Sequence, residues 1–292
     1  MRDEIEALRH FNRAWSQRIG VLDESFLGSG RPLGPSRVLF EIGGEVGGIG
    51  VRELRERLGL DAGYLSRLLR RLERDGLVST APDPADARRR VATLTAEGRA
   101  AWQDLEERSD QVARGIVEPL STSRRAQLAD ALRLADGLVR AATAELVEVD
   151  PSSSRAQAAL AAYFAELDAR FPGGFDPGIQ NFDDYRAPRG RFVLALSEGA
   201  VVACGAVQRL SEDTAEIKRM WVDPAWRGWG VAGRMLRHLE GLAAADGLRV
   251  VRLDTNPTLS DAIAMYRGSG YREIERYNDN PYAGHWFEKT LG

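Results

Sequence analysis

The stretch Val222-Asp223-Pro224-Ala225-Trp226-Arg227-Gly228-Trp229-Gly230-Val231-Ala232-Gly233 constrains the fold of this chain more than any other. An apolar strand ends, the chain turns, and closely spaced glycines open a helix. Helix N-termini carry unpaired N–H groups and a partial positive charge, and small residues let an anion approach them closely. Arg227 adds a fixed cation beside that nest. The segment therefore reads as a strand, a turn and a helix whose N-terminus can receive a phosphate-sized anion.

The rest of the chain is more than this one unit needs. At 292 residues it is long enough for two domains, each with its own core. Residues 1–142 carry 23 Lys/Arg against 22 Asp/Glu, and the remainder 17 against 21, within a net charge of −3. Neither half is basic in bulk, so any nucleic-acid footprint must be local. The single cysteine, Cys204, excludes an internal disulfide framework and sits in an apolar run, where it reads as a small buried hydrophobe rather than a nucleophile. His10, His238 and His285 lack metal-ligand spacing, so no metal is expected. No apolar run reaches the length of a membrane span and Met1-Arg2-Asp3-Glu4 begins no signal peptide, which predicts a cytoplasmic protein without membrane partners.

In the first half, apolar residues recur at helical spacing from Glu4 to Phe26: Ile5, Leu8, Trp15, Ile19, Leu22 and Phe26. A second helix is predicted from Pro35 to about Glu45. Val51–Leu58 reads as a short helix, Gly59-Leu60-Asp61 as a turn with Asp61 as N-cap, and Ala62–Arg74 as a further helix. Projected at about 100° per residue, that last helix places Leu65, Leu68, Leu69 and Leu72 on one stripe. Gly63, Ser66, Arg67, Arg70 and Arg74 fall opposite, flanked by Tyr64 and Arg71.

A solvated basic face is the plain alternative for such a helix. The next segment outweighs it. Gly76-Leu77-Val78 starts a strand, Asp83-Pro84-Ala85-Asp86-Ala87-Arg88-Arg89-Arg90 turns, and Val91–Leu94 returns. A basic hairpin directly after a helix-turn-helix suits DNA twice over: the helix fits the major groove and the hairpin reaches phosphates or the minor groove. Leu54–Leu60, Leu68–Val78 and the pair Asp86–Arg88 and Leu94–Gly98 resemble the MarR family of winged helix-turn-helix regulators across residues 1 to about 142. The resemblance implies that Tyr64, Ser66, Arg67, Arg70, Arg71, Arg88, Arg89 and Arg90 face an operator duplex. It implies that Asp86 steadies the wing by pairing with Arg88. It also implies a homodimer through the terminal helices, Glu4–Phe26 and about Thr95–Val139, although their apolar repeats equally allow an intrachain bundle.

The boundary falls near residue 143, where Ala142–Asp150 begins a strand pattern with no long linker before it. The expected order is then a helix (Ala156–Phe171), strands Arg191–Leu196, Ala200–Leu210 and Thr214–Val222, a helix Val231–Ala245, a strand Val250–Thr255, a helix Ser260–Gly268, and closing strands Tyr271–Tyr277 and His285–Leu291. That is an α+β domain, residues 143–292, with a mixed sheet. Gly228-Trp229-Gly230-Val231-Ala232-Gly233 also fits the dinucleotide fingerprint, with Asp254 near the place of a ribose-binding acid. Four residues separate the strand from Arg227, however, and about 60 residues remain, too few for a second mononucleotide half.

The pattern Arg-x-x-Gly-x-Ala between strand and helix resembles instead the coenzyme-A pyrophosphate loop of the GNAT N-acetyltransferases, a likeness that extends over about residues 143–292. It implies that acetyl-CoA is bound by Met220, Trp221, Val222, Arg227, Gly228, Trp229, Gly230, Val231, Ala232, Gly233 and Asn256. Glu216, 11 residues before Arg227 and alternating with Lys218, Met220 and Val222, resembles the family's general base, and Tyr266 its proton donor to the departing thiolate. The Met220 N–H would donate to the thioester carbonyl. Tyr277, Asn280 and Tyr282, in a polar, aromatic loop before the last strand, would line a pocket for a small amine or amino-acid-like acceptor. The expected protein is a two-domain regulator and N-acetyltransferase; the alternative is a repressor whose second half only senses acyl-CoA.

Overall fold

A computed structural model describes residues 1–21, 23–178 and 181–292. The chain divides into two compact units, Met1–Asp130 and Ala131–Gly292.

The first unit begins with α1, Arg2–Arg18. The helix predicted to reach Phe26 ends here because the chain turns at Gly20, whose φ of 64° lies in the left-handed region. Phe26 opens a separate single turn, and Leu22 lies outside the described residues. α2 (Leu33–Gly43), β1 (Ile49–Gly50), α3 (Val51–Leu58) and α4 (Ala62–Arg74) follow. Asp61 caps α4, accepting from the Tyr64 N–H at 2.9 Å. Leu65, Leu68, Leu69 and Leu72 are all buried, and at about 1.5–3 kcal/mol each they anchor α4 to α2 and the sheet. β2 (Val78–Pro82) and β3 (Arg90–Leu94) form the hairpin, and β1 pairs with β3 to complete a three-stranded antiparallel sheet.

The helical span predicted over Thr95–Val139 is two helices. α5 runs from Ala96 to Val117 with Thr95 as its cap, and α6 from Thr122 to Thr143. Pro119 stands at the break, where it removes a donor and disfavours helix at the preceding residue. The boundary between the compact units falls inside α6, so Ala131–Thr143 belongs to the second unit.

That unit holds β4 (Glu145–Glu148), α7 (Ser154–Arg170), β5 (Gly190–Ser197), β6 (Ala200–Arg209), β7 (Thr214–Val222), α8 (Val231–Ala245), β8 (Val250–Thr255), α9 (Ser260–Gly268), β9 (Arg272–Ile274) and β10 (His285–Thr290). Its seven-stranded sheet runs in the order β4-β5-β6-β7-β8-β10-β9. All neighbours are antiparallel except β7 and β8. This mixed sheet is not a doubly wound dinucleotide fold. One face packs on α8, α9 and the end of α6 through Val193, Ala203, Ile217, Met235, Leu236, Leu239 and Phe287. The other packs on α7 through Leu160, Phe192, Leu194, Cys204 and Trp221.

Two irregularities shape the site. β7 and β8 pair only over Thr214–Glu216 and Val250–Arg252, although both strands continue. β7 also bulges: the register against β6 shifts between Cys204 and Ala206, and Arg219 has φ 58°. An extra residue in one strand reverses the side chains beyond it. Glu216 and Lys218 therefore share a face, while Met220 and Val222, expected beside them, join Ala215 and Ile217 in the core under α8.

Candidate functional site

On the first unit, Arg67, Arg70, Arg71 and Arg74 are exposed along α4, Ser66 is half-buried and Tyr64 is 39% exposed. The Arg67 guanidinium lies 5.6 Å from the centre of the Tyr64 ring. Arg88, Arg89 and Arg90 are exposed at and beside the hairpin tip. Asp86 does not hold the Arg88 side chain: its Oδ1 accepts from the Arg88 backbone N–H at 3.0 Å, and its Oδ2 pairs with Arg89 Nε at 3.5 Å. Arg90 donates to the Thr80 hydroxyl, which donates in turn to Glu73 of α4. This chain of bonds ties the base of the wing to α4. A shallow groove of about 300 Å³, lined by Arg52, Arg55, Ser66, Arg70 and Arg90 among others, lies beside it.

In the second unit, β7 leads through Asp223 and the single turn Pro224–Trp226 to Arg227. Gly228 and Gly230 follow at φ 80° and 87°, and Gly230 caps α8 without a side chain, so the first-turn N–H groups lack intrahelical partners. A Cβ at Gly230 would meet no atom within 4 Å, so the backbone conformation, not crowding, requires glycine. Arg227 is not a loose cation over this nest. Its Nε and Nη2 both donate to the Val222 carbonyl at 3.0 Å, and Nη2 pairs with Glu166 of α7. Glu166 also accepts from Trp221 Nε1 at 3.0 Å and pairs with Arg170 at 3.1 Å. Burial pushes the Glu166 carboxyl up, but the bonds from Arg227 and Arg170 outweigh it and leave it below the usual carboxylate range.

The loop is anchored from behind by α6. Trp229 lies over Gly137, where an added Cβ would fall 2.6 Å from the indole, and Arg140 stacks 4.5 Å from the centre of a Trp226 ring. Arg234, in the first turn of α8, donates to the carbonyls of Ala141 and Ala144. Val231 is buried, and Ala232 and Gly233 are half-buried in the same turn.

A cavity of about 450 Å³ opens where β7 and β8 part, lined by Ile217–Met220 of β7 and by Asp254, Thr255 and Asn256 at the end of β8. Tyr266, Asn280 and Tyr282 also line it; Glu216 and Tyr277 do not. Glu216 is 3% exposed. Its Oε1 accepts from Tyr277 Oη at 2.9 Å, Asn278 Nδ2 at 3.1 Å and Lys218 Nζ at 3.0 Å, and its Oε2 from Gln208 Nε2 at 2.8 Å. Lys218 lies 3.5 Å from Asp254, which accepts from Asn280 Nδ2 at 2.6 Å. Burial disfavours the Lys218 ammonium, but Glu216 and Asp254 overcome this and hold it above the usual lysine range. Tyr277, expected on the acceptor pocket, is turned inward to Glu216, and burial with that neighbouring charge raises its phenol.

Asn256 lines the cavity with its amide spent locally, donating to the Tyr282 carbonyl at 2.7 Å and accepting from Thr258. Tyr266 is 5% exposed, packed on Tyr271 and Phe287, and burial raises its phenol. Cys204 is fully buried with its thiol pushed up to about 12. Sequence reasoning did not reach Glu166, Gly137, Phe171 or Phe175; only the i,i+4 spacing of Glu166 and Arg170 hinted at an ion pair.

A glycine-opened helix beside parted strands on a mixed sheet is the fold of the GNAT acyltransferases, and a helix-turn-helix with a hairpin wing is that of the MarR proteins. The acetyltransferase (GNAT) family model matches residues 159–271, and the MarR family model residues 29–89. An IAA acetyltransferase of Azospirillum brasilense is 34% identical over 122 residues, covering 40% of this chain and 79% of that protein. The N-alpha-acetyltransferase RimI of Mycobacterium tuberculosis is 31% identical over 115 residues, covering 38% and 71%. The transcriptional activatory protein BadR of Rhodopseudomonas palustris is 40% identical over 58 residues, 20% of this chain and 33% of its own length. The chain belongs to the GNAT acetyltransferase family, with a MarR-family region preceding its GNAT region. Among the described residues no helix is long and apolar enough to cross a membrane.

Proposed function

We propose that this chain is a homodimeric transcriptional regulator and an acetyl-CoA-dependent N-acetyltransferase of a small amine. The observation that carries the enzymatic part is the cavity at the parting of β7 and β8, beside the residues that lead into the Gly228–Gly233 turn. A pantetheine arm laid along Met220–Val222 would complete the sheet as an added strand, with the pyrophosphate on the N-terminus of α8. The amine nitrogen attacks the thioester carbonyl, the C–S bond breaks, and the Met220 N–H is assigned to the developing oxyanion. Asp254, on the wall, draws the ammonium. Glu216, behind Lys218, takes its proton through water, and Tyr266 faces the departing sulfur. Mass-spectrometric screening of amines with acetyl-CoA tests this reading, which fails if no amine is acetylated.

One observation favours the sensor alternative: Glu216 is off the cavity wall and fully engaged by four side chains. Tight acyl-CoA binding without turnover of any amine would select it.

For the regulator, α1 buries none of its residues in the chain, and Ile5, Leu8 and Phe11 are each more than half exposed. Leu134 and Leu138 of α6 are also more than half exposed. Such apolar faces support a dimer through the terminal helices. A two-fold dimer should select a near-palindrome with half-site centres about 10–10.5 base pairs apart. Arg67→Ala should relax sequence preference by about 1–3 kcal/mol at one position. Arg89→Ala should weaken binding across all sequences and flatten its salt dependence. A random-site selection with no enriched sequence would overturn the regulator reading.

The two activities are proposed to communicate. α6 is unbroken through the unit boundary, and its Gly137 and Arg140 seat the loop tryptophans. A ligand that steadies the loop would bias α6, with a coupling of about 1–3 kcal/mol. Linkage then requires operator DNA to change acetyl-CoA affinity by the factor with which acetyl-CoA changes operator affinity. Titrations giving the same acetyl-CoA affinity with and without operator would mean two independent activities.

A further inference from the structure

We propose that the acetyl acceptor is a small primary amine bearing an aromatic ring, held by Phe171, Phe175 and Tyr282. This deepens the acyltransferase reading and rests on it. The cavity lining contains two internally connected sets. One is polar: Lys218, Asp254 and Asn280, joined by the bonds described above. The other is aromatic. Phe175 lies 5.7 Å from Phe171, edge to face, and 4.8 Å from Tyr282, while Phe171 and Tyr282 are 5.8 Å apart.

These three rings come from the segment after α7 and from the loop before β10, far apart in sequence and brought to one wall. Phe171 is buried, but Phe175 and Tyr282 are only half-buried, so ring surface is left for a ligand. The one hydroxyl among the three rings, that of Tyr282, is engaged, accepting from the Asp176 N–H at 2.9 Å. A sugar needs hydrogen-bond partners around its whole ring, and buried hydroxyls left unpaired are costly. An aliphatic diamine would set its second ammonium against another carboxylate of the lining, Asp176 or Asp184, rather than against the rings, which makes putrescine the competing acceptor. An amine at one end of a flat apolar body fits both sets at once: nitrogen to Asp254, ring to ring. The ring faces also attract the ammonium on its way in. At about 450 Å³, shared with the acyl end of the donor, the space suits one or two fused rings.

The test is steady-state acetylation by the full chain of 2-phenylethylamine, 2-aminoethanol, putrescine, glucosamine and a serine-initiated tripeptide. It is paired with calorimetric binding of 2-phenylethylamine. The expected result is the highest kcat/KM for 2-phenylethylamine. Phe175→Ala and Phe175→Leu should each lower it at least about ten-fold, while 2-aminoethanol changes less than about two-fold and the KM for acetyl-CoA stays constant. A higher kcat/KM for any of the four other acceptors overturns the proposal, as does an equal loss for all acceptors in the Phe175 variants. If no amine turns over yet 2-phenylethylamine binds, more weakly in Phe175→Leu, the aromatic site stands and the catalytic reading falls. If it neither binds nor reacts, both fall.

Discussion

Gly230→Val should yield a folded protein that no longer binds acetyl-CoA. The space around Gly230 is open, so a side chain there strikes no neighbour; the difficulty is its φ of 87°. A β-branched residue held in that region carries strain of about 1–3 kcal/mol, which the unit relieves by re-forming the turn at the start of α8. The relaxed turn would no longer offer the N–H groups of Val231, Ala232 and Gly233 together, and the valine methyls would fill the place proposed for the anion. Calorimetry on a variant with an unchanged thermal transition checks it. Retained affinity would remove the α8 N-terminus from the donor site. Gly233, where a Cβ would approach Arg237 no closer than 3.4 Å, is the milder control: alanine there should cost far less affinity.

Tyr266→Phe should keep acetyl-CoA binding and slow turnover by about 10²–10⁴-fold. Phenylalanine retains the ring that packs on Tyr271 and Phe287 at centroid distances of 5.9 and 6.0 Å, so the fold should be undisturbed. Burial raises the Tyr266 phenol, which has two consequences of opposite sign. The group stays protonated throughout the neutral range, so the activity it supports should not fall as pH rises towards about 10. It is also a weaker acid than a free phenol, and it can pass its proton only to a thiolate whose own basicity is raised in the same desolvated cleft. The contribution proposed for it is therefore a hydrogen bond to the leaving sulfur. Unchanged single-turnover rates in Tyr266→Phe would take it out of the reaction.

Much of this arrangement was legible in the amino-acid order because it depends on neighbours a few residues apart. The bounds of α3, α4, α8, β7, β8 and α9 follow from apolar spacing, from Asp61 as a cap and from the glycines that end or open helices. The winged hairpin follows from its turn residues and the basic face of α4 from its period. Where a local signal was weak, the reading ran on: the helix expected to Phe26 stops near Gly20, and the long helix after Thr95 breaks around Pro119.

The chemistry of the cleft was a different matter, since several of its decisive contacts join residues dozens of positions apart. Arg227 reads in sequence as a fixed cation beside the α8 N-terminus, yet Glu166, 61 residues earlier, pairs with it. Tyr277 reads as an acceptor-pocket residue, yet its hydroxyl is bonded to Glu216, 61 residues away. The bulge at Arg219 reverses Met220 and Val222 because Gly205 of β6 faces two residues instead of one, a count that only the strand pairing contains. Helix and turn propensity are properties of a short window of chain. Which strands part, which carboxylate reaches a cavity and which rings meet around it are set by how the sheet and its helices pack, and that depends on the whole unit at once.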